Sequence, residues 1–283
     1  LHHSAQPLIW YPFDTSDSTA VTNKFHATSI GTIKAPDARN IENKAKRVIS
    51  NSDLIYTENE PELDFSYPLT LSCWIYPEKI YQEHYIISHG SWQERFKLSL
   101  LSDHHLRLTV NTTSGIFDLD SKNPIPLEQY THVTGIYTGF SLEIYINGKL
   151  DNFMSCSGNL NPTSHPLTLG RMNEIETKYS FWGRIDEFKL WNDALSLSEV
   201  KNLPFIWFSL ADGQKLHVYP TLLRKGESIK ISGIEAGSEV KLYSVFGQVV
   251  GINLQINPGE TSNVRFPAYI RTGMYLLRCN QPS

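Results

Sequence analysis

Residues 130–150, YTHVTGIYTGFSLEIYINGKL, leave this chain few folds to choose from. Leu142, Ile144 and Ile146 alternate with Ser141, Glu143 and Tyr145, the period of a strand with one buried and one wet face. Asn147-Gly148 follows, two residues that tolerate the positive φ of a type I′ hairpin turn. Upstream, His132, Val133, Ile136 and Tyr137 make a second strand, turned at Thr138-Gly139. A meander of this kind buries its apolar face only against another sheet.

The period of two continues on both sides. Leu69, Leu71 and Cys73 oppose Thr70, Ser72 and Trp74 until Pro77 stops the strand. Tyr85–Ser88 and Phe96–Leu101 come next, and Leu106, Leu108 and Val110 alternate after a turn at 102–105. Strands recurring about every 8–12 residues predict an all-β sandwich or barrel, not βαβ units. Between Asp14 and Pro61 the pattern is irregular, with loops and short edge strands around Val48 and Leu54.

The run H-V-x-x-I-Y-x-G…L-x-I-Y-I-N-G resembles the centre of laminin-G-like, concanavalin A-like jelly-roll modules. LIWYPFD (8–14), LTLSCWIYP (69–77), PLTLGR (166–171) and FWGRIDEFKLWNDALSLSEV (181–200) agree with it in order and spacing. The resemblance covers roughly the first 200 residues and implies a jelly-roll sandwich. It implies less about activity, since this fold hosts lectins, adhesion modules and glycosidases alike.

In Phe181–Trp191 the apolar parity changes between Ile185 and Phe188, so an extra residue at Asp186-Glu187, a β-bulge, is expected to return both sets to the core. Ser196-Leu-Ser-Glu199 is a capping box that opens a short helix closed by Pro204. Phe205, Ile206, Trp207 and Phe208 are too apolar for a solvated linker and are expected to dock against a module.

From Leu216 the texture changes. V-Y-P (Val218–Pro220), a short I-K-I strand, G-S-E-V-K-L-Y, the F-G-Q-V-V turn and strand, and the closing G-x-Y-L-L (Gly273–Leu277) resemble the C-terminal sorting domain of the bacterial type IX (Por) secretion pathway. Five or six strands in so short a segment predict a small Ig-like antiparallel sandwich. The chain is therefore divided into a jelly roll at 1–210 and a sorting-type sandwich at 211–283. The sorting resemblance implies an exported protein, secreted or held at the outer-membrane surface of a bacterium, with the secretion machinery as a partner.

Charge argues against nucleic-acid binding. Residues 1–210 carry 17 Lys and Arg against 24 Asp and Glu, and 211–283 carry 8 against 5. Neither part has a basic run interleaved with aromatics, so nucleic acid is not an expected partner. No apolar stretch approaches the roughly 20 residues of a membrane-spanning helix. The sequence starts at Leu1 with no recognisable leader, as a mature or trimmed form would. Cys73, Cys156 and Cys279 have no C-x-x-C spacing, which argues against a zinc site or disulfide framework, though a Cys73–Cys156 bridge stays open.

Three chemistries deserve weighing. Laminarinase-like enzymes of this fold carry E-x-D-x-x-E on one strand, and retaining hydrolysis needs two carboxyls about 5 Å apart. Here Arg184-Ile-Asp186-Glu187 puts an arginine where the first acid belongs and has no third acid, so catalysis is not expected. Asp186 could meet Asp14 from the loop after the first strand in a hard oxygen site suited to a structural Ca²⁺, as relatives of such modules often hold. Equally, Asp186 could cap backbone donors released by the bulge. Finally, the turn from His84 through His89 to Trp92 and Arg95 gathers two imidazoles, an aromatic and a guanidinium. An aromatic platform with planar polar groups suits a sugar, so His89, Trp92 and Arg95 are the candidate ligand residues. Against that, Trp92 could simply cover the sandwich edge and Arg95 pair with an acid. The sequence favours a carbohydrate-binding or adhesion module, with a cell-surface glycan as partner. A polysaccharide hydrolase and a structural spacer are the alternatives.

Overall fold

The structure is a computed structural model that describes residues 6–14, 24–38 and 40–204, and the backbone of the strands beyond. The chain divides into two compact units, Leu1–Pro204 and Phe205–Ser283.

The described residues of the first unit form β1 (Ile9–Tyr11), β2 (Thr28–Ile30), β3 (Ile33–Ala35), β4 (Ala45–Val48), β5 (Leu54–Thr57), β6 (Leu69–Pro77) and β7 (His84–His89). They continue with β8 (Phe96–Leu100), β9 (His105–Thr112), β10 (Gly115–Pro124), β11 (Thr131–Tyr137), β12 (Ser141–Ile146), β13 (Lys149–Ser155), β14 (Leu167–Leu169) and β15 (Gly183–Trp191). Helix is confined to the short turns α1 (Ser91–Glu94) and α2 (Leu197–Asn202) and a 3₁₀ turn at Pro61–Leu63. One sheet runs β13-β12-β11-β6-β15-β4-β3, with β1 also on β15, and the other runs β10-β9-β8-β7-β14-β5-β2. This is the all-β sandwich that the alternation implies.

The opening meander lies towards one edge of the first sheet, with β12 beside the edge strand β13 and β11 against the central β6. Val133 stands opposite Cys73 of β6 and Ile146 of β12, and Leu71, Cys73, Ile75, Leu142 and Ile144 all enter the core. From the other sheet come Phe96, Leu98, Leu106, Leu108 and Val110. The sheets meet closely at Gly135, where an added Cβ would lie 3.1 Å from Leu108 Cδ1. Asn147 and Gly148 have φ of 50° and 73°, the paired positive values of the expected type I′ turn. Cys73 and Cys156 are both buried and unpaired, so they are not bridged.

The bulge lies where the parity changed. Asp186 pairs with Trp74 and Lys189 with Ser72, so Glu187 and Phe188 oppose Cys73 alone. Glu187 takes a φ of 50°, and Ile185 and Phe188 both reach the core. The capping box is also present: Ser196 Oγ accepts from Glu199 N, and Ser196 N donates to Glu199 Oε2. The helix it starts, α2, lays Val200 against Ile136, Tyr145, Trp191 and Leu195 on the side of the first sheet away from the main core.

In the second unit β16 (His217–Tyr219), β17 (Ser228–Ser232) and β20 (Ser262–Arg265) make one antiparallel three-stranded sheet. A second contains β18 (Glu239–Ser244), β19 (Val249–Gln255) and β21 (Tyr275–Asn280). None of the six joins a sheet of the first unit. The apolar run at Phe205–Phe208, expected to dock, lies outside the described residues.

Candidate functional site

The three residues expected to hold a ligand do not share a surface. Trp92 is 42% exposed, whereas Arg95 is 0% and His89 1% exposed. Arg95 Nη1 donates to the Asn161 carbonyl at 2.7 Å and to Asp64 Oδ1 at 3.3 Å. Its Nη2 donates to the carbonyls of Leu63 at 2.8 Å and Phe65 at 2.5 Å, and the guanidinium lies over the rings of Phe65 and Phe96. Burial lowers its pKa to about 10, opposed by Asp64, so it stays cationic at neutral pH. Alternation extended back from Phe96 would expose Arg95, but the strand begins only at Phe96. Arg95 ends α1 with φ −137° and ψ −77°, so the period of two does not govern its direction. Trp92 and Arg95, expected together as ligand residues, therefore do not line one surface. His89 is likewise internal: its Nε2 is 3.0 Å from Asn59 Oδ1, its ring meets Phe96 edge-on, and burial depresses its pKa to about 3.

Asp14 and Asp186 do fall in one neighbourhood, with Asp37 as a third carboxylate. Burial first, then the charges of Glu187, Asp37 and Asp14, push the Asp186 pKa up to about 8. Asp186 Oδ1 accepts the Glu187 N–H at 2.8 Å, the backbone cap expected of a bulge. Asp37 Oδ1 accepts the Ile41 N–H, and the Lys44 ammonium lies 3.9 Å from Asp14 Oδ1 while donating to its carbonyl. Among the described residues no three His, Cys, Asp or Glu side chains converge as a cation cage. Lys44 already brings positive charge to Asp14, so the set fits a calcium ion poorly. Chelator is expected to leave the melting temperature unchanged. A fall with EDTA that calcium restores would show that a cation binds after all.

The second sheet presents a different set of groups. On β8 and β9 the core takes Phe96, Leu98, Leu100, Leu106, Leu108 and Val110, so Lys97, Ser99, Arg107, Thr109 and Asn111 point away from it. On β10 Phe117 and Leu119 pack inward, leaving Ile116, Asp118 and Asp120 outside. A bulge in β7 sends both Ile86 and Ile87 to the core and leaves Tyr85 and Ser88 outward. The registers then align one row across the sheet: Thr28, Tyr56, Thr168, Ser88, Lys97, Thr109 and Asp118. A second row holds Tyr85, Ser99, Arg107 and Asp120.

These rows are stitched by charge. Arg107 forks Asp120, Nε to Oδ1 at 2.6 Å and Nη2 to Oδ2 at 2.7 Å, and stands 3.9 Å from Asp118. Thr109 donates to Asp118, and Lys97 and Ser99 both donate to Glu83. The Asp120 hydrogen bond raises the Arg107 pKa further, whereas burial lowers that of Lys97 against the pull of Glu83. Ser88, Ser99, Thr109 and Thr168 are fully covered, but Glu83, Arg107, Asp118 and Asp120 remain open to solvent.

The Trp92 backbone lies at one end of this open strip, and its side chain is exposed. Asn111 Nδ2 donates to the carbonyls of Trp92 and Gln93, which fixes the indole's backbone beside β9. Asn111 pairs with Ile116, itself exposed, and lies four residues from Arg107, about 13 Å along the strand. At the other end Tyr179 packs on Tyr85, and the Lys97 ammonium lies 4.8 Å from the Tyr85 ring centre. Trp92 was identified in the sequence, but Glu83, Arg107, Asp118 and Asp120 were not. For Arg107, Asp118 and Asp120 the signal was the matching of Arg107-x-Thr109 with Asp118-x-Asp120 across the turn between β9 and β10.

Comparison with known proteins agrees with this architecture. Domain 4 of AbnA, a GH43 extracellular arabinanase from Geobacillus stearothermophilus, in complex with arabinotriose, superposes with a TM-score of 0.57 at 20% identity, covering 71% of this chain and 100% of that one. The binding domain of Paraclostridial Mosquitocidal Protein 1 gives a TM-score of 0.54 at 17% identity, over 92% and 72% of the two chains. The binding domain of botulinum neurotoxin serotype D/C gives 0.53 at 12%, over 88% and 69%. At such identities the likeness speaks for fold alone. A search of the curated proteins gave no match. The family model for the concanavalin A-like lectin/glucanases superfamily matches residues 50–201, more than half of the sequence, and the chain belongs to that superfamily.

Proposed function

We propose that the first unit is a carbohydrate-binding module without catalysis, and that its ligand lies along the open strip between Trp92 and Tyr179. The observation that carries this is the outward array of Arg107, Asp118, Asp120 and Glu83, planar groups held in fixed orientation by one another and by Lys97, Ser99 and Thr109, with the exposed Trp92 beyond one end. Rigid planar donors and acceptors read sugar hydroxyls, and an indole face takes the apolar side of a pyranose or furanose ring. The complex of AbnA domain 4 with arabinotriose gives the same fold a sugar ligand in another protein.

Hydrolysis is the weaker reading. A catalytic acid is a carboxyl kept in apolar surroundings, apart from its ionised partner. Glu83, Asp118 and Asp120 each accept hydrogen bonds from a cation or a hydroxyl instead. In the same proposal the second unit is a type IX sorting domain, carrying the V-Y-P and G-x-Y-L-L marks and addressing the protein to the cell surface or the medium. Among the described residues no helix is long and apolar enough to cross a membrane.

Calorimetric titration of the full chain with arabinotriose, xylotriose, cellotriose and laminaritriose tests the binding reading. Wild type is expected to bind at least one of them weakly. Trp92→Ala and Arg107→Ala should each lose about tenfold in affinity, or about 1.4 kcal/mol. Equal affinity in all three proteins would move the site elsewhere, and release of reducing sugar would overturn the non-catalytic reading.

A further inference from the structure

Resting on the glycan-binding reading, we infer that this strip accepts neutral oligosaccharides and turns away those that carry carboxylate or sulfate groups. Recognition of an anionic sugar needs a cation with donors to spare, as arginine offers when its fork is free. Both cations whose side chains leave the core on β8 and β9 are already committed. Arg107 spends Nε and Nη2 on Asp120, with Asp118 3.9 Å from Nη1, and Lys97 is buried and donates to Glu83. Three carboxylates face two cations there. Lys122, the next alternate residue on β10 after Asp120, is exposed at the margin, where Asp151 accepts from its backbone N–H and from the neighbouring Asn123 and adds a further carboxylate. An anionic ligand seated over Arg107 or Lys97 would have to break an existing ion pair and leave its carboxylate facing the incoming charge, a juxtaposition that strongly disfavours binding. A neutral sugar can instead hydrogen-bond to the unused lone pairs of Asp118, Asp120 and Glu83 while the pairs stay intact.

The comparison is between the four neutral trisaccharides and trigalacturonate, titrated against the full chain at low and at high salt. A neutral trisaccharide is expected to bind with little salt dependence, since no ionic contact forms. Trigalacturonate should bind wild type at least about tenfold more weakly than the best neutral trisaccharide. In Asp120→Asn the guanidinium of Arg107 loses its ionic partner, and trigalacturonate affinity should rise about tenfold or more, the worth of one charge-assisted hydrogen bond. Asp118→Asn, which leaves the fork in place, should give a smaller rise and guards against a folding defect in the first variant. Tighter binding of trigalacturonate than of any neutral sugar by wild type would overturn this inference while leaving the glycan site standing. So would an Asp120→Asn protein that folds yet gains nothing. Failure of every saccharide, neutral and acidic, to bind would overturn both this inference and the reading beneath it.

Discussion

Replacing Arg95 with methionine is expected to destabilise the first unit by about 3–5 kcal/mol, the usual cost of breaking a buried charged network from one side. Its guanidinium satisfies the carbonyls of Leu63, Phe65 and Asn161 at once and ties the segment around 61–66 to residue 161. Methionine fills similar volume but leaves all three carbonyls without this donor, each a cost of about 1–3 kcal/mol if it stays buried. Asp64 suffers less because it is partly exposed and can take water. For a unit of this size the loss corresponds to roughly 10 °C in melting temperature. Arg95→Lys should recover only part of it, since an ammonium cannot span acceptors that a flat fork reaches together. Thermal denaturation of the three proteins decides the matter. An unchanged melting temperature with lost sugar binding would return Arg95 to the ligand site, where the sequence had placed it.

Arg95 also shows where sequence reasoning reaches its limit. Within strands the period of two located the core correctly: Leu69, Leu71 and Cys73 of β6 and Leu142 and Ile144 of β12 are buried as the alternation requires. The bulge at Asp186 and the capping box at Ser196 were legible because each leaves a local mark, a parity change and a residue spacing. The chain just outside a strand has no such period, and there one helical turn sufficed to swing Arg95 from surface to interior. The open strip escaped notice for another reason. Its groups come from β9, β10 and the loop before β7, and only the register between strands, with Arg107 opposite Asp120, assembles them. Likewise, nothing in the local sequence marks Asp37 as a charge felt by Asp186, because that proximity depends on how the chain folds back over more than a hundred residues.

Asp186→Asn is expected to stabilise the protein, and only above acid pH. In the folded protein the Asp186 carboxyl is held protonated up to about pH 8, from an ordinary value of 3.8, chiefly by burial and then by Glu187, Asp37 and Asp14. Folding therefore binds a proton between those limits, and stability falls as pH rises from about 4 to about 8. The buried imidazoles act in the opposite sense. Burial depresses His84 to about 4 and His89 and His132 to about 3, so the unfolded chain takes up protons first as pH drops below 6.5. Together these shifts place maximum stability near pH 6.5, with a steep acid limb and a gentler alkaline one ending near pH 8. One proton over that alkaline limb amounts to about 2 kcal/mol. Asparagine keeps an oxygen that can accept the Glu187 N–H but has no charge to desolvate. The variant should match wild type at pH 4, exceed it by a few kcal/mol at pH 8, and lose the alkaline limb while keeping the acid one. Denaturant midpoints across this pH range provide the measurement. If Asp186→Asn destabilised the protein at pH 8, the carboxylate would be ionised and paired in the folded state, and a bound cation would again be the simplest partner for it.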